Sequence, residues 1–279
     1  MSDSEAAPPK LKRHYPKSKE TNLMCYDLAF STEITTIYEL LPELKTAREE
    51  AGGELFANFE PTWHKVGQGY PKWPVVTAKD GKFQLHKFEW GVIAPYMKTP
   101  EEVKKGRKWM VNARAEKVLE PNTFWNRIRK NRCLVATTGF FEHREIPGWK
   151  NKVPYFIRVK DREMFFLAGL YQYSHFPNVE TGELPGTFTV ITREANTVMK
   201  QIHNGGENGG RMPLILPVEL EKEWLNPNLT DLDIKHILDY AIPSEQLEHW
   251  PVNSVRKTKP DDASVITPAA YEGLPALAV

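Results

Sequence analysis

The sequence predicts an α+β protein: a single domain with a strongly curved, mainly antiparallel β-sheet core flanked by short helices. Three observations predict it. Apolar or alternating runs of strand length recur at residues 133–136, 155–159, 164–171 and 187–192, separated by Gly, Pro and charged turns. Proline is abundant, 22 of 279 residues, which favours short elements and many turns over a helical bundle. The helical patterns are short, and no internal repeat divides the chain.

Taken in order, residues 1–23 are polar and Lys-rich without an apolar period, so a disordered N-terminal extension is expected there. Order is expected from Met24 to residue 258, with 259–279 as a C-terminal tail. Residues 38–51 read as a short helix broken or entered at Pro42. Residues 58–80 are rich in Pro, Gly and Trp and read as loop with a short strand at 74–77; 82–90 alternates as a strand. Residues 100–106 read as a short helix or loop. Residues 113–119 and 122–130 look helical, the second with Asn122 as its N-cap. After the β-rich stretch, 194–202 reads as a helix, 205–210 as a glycine-rich loop and 214–216 as a short buried strand ended by Pro217. Residues 220–224 and 232–240 read as helices, and 250–255 as a final strand.

Composition excludes several classes. A net charge of +1 is too small for a purely electrostatic nucleic-acid binder, although a local Arg-rich groove suffices for DNA. Two cysteines, Cys25 and Cys133, make no disulfide framework and point to a reducing compartment. No run of about 18 apolar residues exists, and the first 23 residues carry no apolar core of a secretory signal. A cytoplasmic protein, with no membrane contact, is therefore expected. The histidines are scattered and no C-x-x-C or H-x-x-x-H pair exists, so no metal is expected. No G-x-G-x-x-G or P-loop follows a strand, so no nucleotide cofactor is expected either.

Four segments place reactive groups in apolar context. Met24-Cys25 is one. If chain initiation or cleavage made Cys25 N-terminal, its amine and thiol would share one residue. An α-amine titrates at about 7.7–8.0, so a useful fraction is neutral at pH 7 and can condense with an aldehyde. The alternative is a buried structural cysteine. Asn112, Arg114 and Glu116 follow at even spacing, facing one side of an extended segment or capping a helix. In residues 133–143 a buried strand passes Gly139 and two aromatics to Glu142, a candidate acid or base, or a strand-end carboxylate that faces water or pairs with Arg144. His203 follows a helix and Arg211 precedes a buried run. The two flank one pocket, or His203 is satisfied by backbone at a helix end.

In order, these segments resemble the SOS-response-associated peptidase (SRAP) family. The likeness runs from about Met24 to Val255. It comprises Met24-Cys25, Asn58 to Thr62, Trp90-Gly91 to Pro95, Asn112 to Glu116 and Arg132 to His143. Ala168 to Leu170, Thr192 to Asn196 and His203 to Pro213 complete it. Three positions depart: Asp27 replaces an arginine and would repel phosphate, His143 replaces a tryptophan, and residues 204–210 open the spacing between His203 and Arg211. The resemblance implies that the protein captures abasic sites in single-stranded DNA as a covalent thiazolidine through N-terminal Cys25. It assigns Glu142 as acid/base, His203 as proton shuttle and Asn112 as positioner of the Cys25 amine. Arg114, Arg211, Thr192 and Trp90 are expected at the DNA side. It implies no cofactor, a monomer, association with the nucleoid when bound to DNA, and self-processing before Cys25. Two alternatives stay open: a thiol peptidase using Cys25 and His203, and a non-covalent single-stranded DNA module built on stacking and arginine contacts.

Overall fold

The computed structural model describes residues 27–44, 59–178, 181–255, 258–259 and 261–278. The strands are β1 (Asp27–Phe30), β2 (Thr62–Val66), β3 (Lys72–Lys79), β4 (Lys82–Trp90), β5 (Asn112–Arg114) and β6 (Arg132–Thr137). They continue as β7 (Gly139–Arg144), β8 (Val153–Val159), β9 (Phe165–Tyr173), β10 (Gly186–Glu194), β11 (Arg211–Pro213) and β12 (Leu247–Pro251). The helices are α1 (Thr35–Leu40), α2 (Pro100–Gly106), α3 (Ala115–Val118), α4 (Phe124–Arg127), α5 (Thr197–Ile202), α6 (Val218–Trp224) and α7 (Asp231–Leu238). Among the described residues no helix is long and apolar enough to cross a membrane.

One sheet has the order β12-β8-β7-β1-β2, antiparallel throughout. The other runs β11-β10-β4-β3-β6-β9, with β5 beside β10. Because β9 also pairs with β10, five of its strands close into a ring. Closure removes sheet edges and forces the curvature that the alternating runs imply. Between the sheets lies the main core, where Trp73, Trp90, Phe165, Phe166 and Phe188 are fully covered. Each deeply buried indole N–H has a main-chain acceptor: Trp73 donates to the Ala136 carbonyl (2.7 Å), Trp90 to Val111 (2.7 Å) and Trp224 to Cys133 (3.1 Å). This satisfies the one polar atom of an otherwise apolar ring. Cys133 is buried too, and burial pushes its thiol well above the usual range.

Several local expectations shift. Residues 58–80 are not mainly loop, because β2 and an eight-residue β3 occupy much of them. Pro74 is tolerated since β3 pairs with β6 only from Val75 to Thr77, so its missing N–H costs that ladder nothing. Asp80 (φ 52°) and Gly81 (φ 75°) form the two-residue turn into β4, where left-handed backbone suits Asp-Gly. Asn122 does not cap the next helix. It adopts φ 65°, and Thr123 accepts from the Asn126 N–H (3.1 Å) instead. Residues 113–114 belong to β5 rather than a helix, and α3 begins at Ala115. Glu194 still belongs to β10, and Asn196 caps α5 by accepting from Met199 N–H (3.0 Å). The strand expected at 214–216 lies earlier, as β11, while Ile215 makes only an isolated bridge to Leu167. Residues 261–278 lie against the domain. Val265 is buried, Trp250 donates to the Ile266 carbonyl (2.7 Å), and the Tyr271 hydroxyl donates to Val252 (2.7 Å).

A Cβ at Gly139 would stand 2.2 Å from Phe156 Cζ and 2.9 Å from the Ile157 carbonyl oxygen, which the β7–β8 ladder holds. Gly139→Ala is therefore expected to lower the unfolding free energy by about 1–3 kcal/mol, the usual cost of overpacking, checked by urea denaturation. His86 stacks on Phe88 with ring centroids 4.6 Å apart, and burial lowers its pKa to about 4. A base depressed on folding leaves the unfolded chain binding more protons between pH 6.5 and 4. Stability is thus expected to be full above pH 6.5 and to fall as pH drops toward 4. Comparing denaturation of the native chain and His86→Gln across that window tests this, since the variant should lose less.

Candidate active site

Side chains alternate along β7. Phe141 packs with Ala29, Phe156 and Val252 in a small second core on the outer face, while Phe140 points into the main core. Glu142 and Arg144 share the Phe140 side by the two-residue period of a strand. Tyr155, the cross-strand partner of Glu142, lies on that side as well and its hydroxyl accepts from Arg144 (3.4 Å). Glu142 is 3% exposed and Arg144 8%. The described acceptors of Arg144 are the Tyr155 hydroxyl and the carbonyls of Pro275 (2.6 Å) and Ala276, rather than Glu142, its alternative partner in the sequence reading.

His203 ends α5 and is 5% exposed. Its Nδ1 stands 3.8 Å from a Glu142 carboxylate oxygen and 2.8 Å from the Arg211 carbonyl oxygen. A carbonyl can only accept, so Nδ1 carries the proton in the neutral ring and Nε2 is left to exchange one. The inserted loop does not separate His203 from Arg211. The Gly210 N–H donates to the His203 carbonyl (2.6 Å), closing the loop at its base, with Gly206 and Gly210 in left-handed conformations. Asn204 fastens this corner to the end of β7. Its amide N–H donates to the Glu145 carbonyl (2.9 Å), and its oxygen accepts from the Glu145 N–H (2.7 Å). This clamp was not read from the sequence, where Asn204 looks like one more loop residue.

The second cluster forms around β10. Thr192 pairs with Arg114 of β5 on one side and Pro213 of β11 on the other. Arg211 grips Glu116 with both terminal nitrogens (3.1 and 2.9 Å) and donates to the Thr192 carbonyl (2.7 Å). Burial opposes the Glu116 charge, but the Arg211 hydrogen bond and the charges of Arg211 and Arg114 outweigh it and hold its carboxyl below the usual range. Arg114 is exposed, and its described partner is the neutral Asn208 amide of the inserted loop (2.8 Å). Asn112 lies two residues before Arg114, on the same face of β5, and is 7% exposed.

The structure thus brings Glu142 to His203, and Arg114, Thr192 and Arg211 into one row joined to His203 through the Arg211 backbone. Two of the residues expected at the DNA side, Trp90 and Thr192, are fully buried. Trp90 is fully buried and stacked on Phe188 (centroids 5.9 Å), so no ring face is left for a base. Thr192 is fully buried and supports Arg211 from behind. Exposed aromatics among the described residues are Tyr96 (54%), Trp109 (57%) and Tyr173 (47%), with Tyr96 edge-on to Phe124 at 5.8 Å, Lys108 over Trp109 and Tyr173 edge-on to Phe88 at 5.6 Å. Among the described residues no group of three or more His, Cys, Asp or Glu could hold a metal ion. Cys25, Tyr26 and Asn58 lie outside the described residues. Asp27, at the departure from the family pattern, is buried, and His64 Nε2 stands 3.0 Å from its carboxylate, edge-on to Phe141.

The chain is 36% identical over 172 residues to the abasic site processing protein YoqW of Bacillus subtilis (strain 168), covering 62% of this chain and 70% of that one. It is 29% identical over 189 residues to abasic site processing protein YMR114C of Saccharomyces cerevisiae, covering 66% of this chain and 47% of the yeast protein. Among solved structures, a protein from Bacteroides thetaiotaomicron superposes with a TM-score of 0.72 at 29% identity, covering 88% of this chain and all of that one. Residues 24–257 match the family described as SOS response associated peptidase (SRAP), and with the fold in agreement the chain belongs to that family.

Proposed function

We propose that this protein processes abasic sites in DNA, capturing the lesion in a single strand as a thiazolidine on Cys25. The observation that carries the reading is the buried Glu142–His203 pair on β7 and α5, beside the strand that Cys25 leads into. Cys25 precedes Asp27, the first residue of β1, by two positions in the sequence. Asp27 pairs with Phe141, the neighbour of Glu142. Relatives named as abasic site processing proteins favour the same substrate.

The chemistry needs an N-terminal Cys25, released by initiation at Met24 or by cleavage after it. The free amine adds to the C1′ aldehyde of the opened sugar, and loss of one water gives an imine. The thiol sulfur then adds to the imine carbon while its proton passes to nitrogen, closing the five-membered ring. Glu142 donates the proton that carries away the hydroxyl as water. His203 moves protons through Nε2, with Nδ1 committed to the Arg211 carbonyl. Asn112 orients the amine from β5. Arg114 and Arg211 take backbone phosphates. Arg114 exchanges a neutral partner for an anion, whereas Arg211 must share with Glu116. Exposed Tyr96 and Trp109 offer faces for unpaired bases. The family's peptidase name fits the same thiol acting on the bond before it, and loss of residues 1–24 by intact mass, abolished in Cys25→Ala, reads that step separately.

Protein beginning at Cys25 is expected to form a heat- and denaturant-stable adduct with single-stranded DNA carrying an abasic site, resolved by denaturing electrophoresis. Cys25→Ala should form none, and an unreactive native protein beside a reacting N-terminal cysteine peptide would refute the reading. Arg114→Ala is expected to weaken binding to single strands of any sequence. It should also make the slope of log affinity against log salt shallower by about one charge, as loss of one phosphate contact requires. Anisotropy titrations at several salt concentrations check this.

A further inference from the structure

The last residues of the chain lie across the flank of this site. Arg144 stands two residues beyond Glu142 on the same face of β7, about 7 Å along the strand. Arg144 is 8% exposed, and its guanidinium donates to the carbonyls of Pro275 (2.6 Å) and Ala276 (3.4 Å) and to the Tyr155 hydroxyl (3.4 Å). All three acceptors are neutral. On the other side, Gln201 of α5, two residues before His203, trades both hydrogen bonds of its amide with Ala278: Nε2 donates to the Ala278 carbonyl (2.8 Å) and Oε1 accepts its N–H (2.7 Å). Residues 271–278 are thus held by the two elements that carry Glu142 and His203. Leu274 and Leu277 rest half-buried on the main core. Glu272 is the single charged side chain of this stretch, which lies beyond the family match ending at 257.

A buried guanidinium satisfied only by neutral oxygens is a cation without its best partner. A phosphodiester offers two anionic oxygens to its parallel N–H groups, and such charge-assisted bonds are about twice as strong as neutral ones. The geometry points to Arg144 as a phosphate site for the DNA strand passing Glu142, with residues 271–278 as a displaceable strap that occupies it in the free protein. This rests on the DNA reading above. The strap keeps Arg144 desolvated and ordered, and it lowers affinity by the fraction of molecules in which it is closed.

The test uses unmodified single-stranded oligonucleotide, so that it reads binding and not crosslinking. A chain ending at Ala270, and separately Gln201→Ala in the full chain, should each tighten the anisotropy Kd severalfold. Arg144→Gln placed in the shortened chain should remove that gain. In the native full-length protein, saturating oligonucleotide should speed hydrogen exchange across residues 271–278. If loss of Leu274 and Leu277 unfolds the shortened chain, Gln201→Ala and the exchange measurement decide. Unchanged or slowed exchange in 271–278 on DNA binding, or weaker binding by Gln201→Ala, would overturn the strap while Arg114→Ala still reports a working DNA site. Absence of DNA binding in every form would overturn the DNA reading and the strap together.

Discussion

Between β6 and β7 the chain leaves one sheet and enters the other across three residues, Thr137, Thr138 and Gly139. The Thr137 hydroxyl donates to the Ala29 carbonyl at 2.8 Å, the Thr138 N–H donates to the same oxygen at 2.9 Å, and Ser31 N–H donates to the Thr138 hydroxyl at 3.1 Å. Gly139 has no side chain because Phe156 and the Ile157 carbonyl fill the space one would need. This crossing sets the register of β7 between β1 and β8. In a strand a slip by one residue exchanges its faces. One step would put Phe141 into the main core and turn Glu142 outward. The position of the candidate acid is thus a consequence of sheet packing.

The other half of the site is built by local backbone closure. Residues 204–210 leave the end of α5 and return to His203 through the Gly210 N–H and the Arg211 carbonyl. Loop-closure entropy grows slowly with length, so several added residues are tolerated where their ends are tied. Asn204 then ties this closure to Glu145 by a reciprocal amide pair, the same device that Gln201 uses on Ala278. In both cases a planar amide reads one residue's N–H and C=O, leaving no unsatisfied main-chain group.

Charge around the site is balanced rather than simply positive. Arg211 is held by Glu116, Arg107 by Glu89 (2.7 Å) with Tyr70 beneath it, and Asp27 faces His64. Arg114 and Arg144 have neutral described partners, as do Arg132 and Arg193, which donate to main-chain carbonyls. A near-zero net charge is therefore compatible with a short cationic track, since what a strand of phosphates meets is the local set of arginines and not the total.

Most strands were legible because alternation is local: the pattern in residues 82–90 predicts β4 residue for residue. The reactive segments were legible for the same reason, since Glu142 after two aromatics and His203 before glycines stand out in one dimension. Helix and strand limits near Asn122 and Pro74 were not, because a neighbour's pairing or a competing cap decided them. Burial decided the rest. The resemblance puts Trp90 at the DNA side, whereas in the closed five-strand ring it is buried against Phe188. By itself the sequence determined the fold class, the family and the inventory of reactive groups, all properties of residue order. Tertiary structure alone decided which groups meet, that Arg211 is shared with Glu116 and that Arg144 lies under the last residues, because those contacts join positions up to 132 apart that no local periodicity connects.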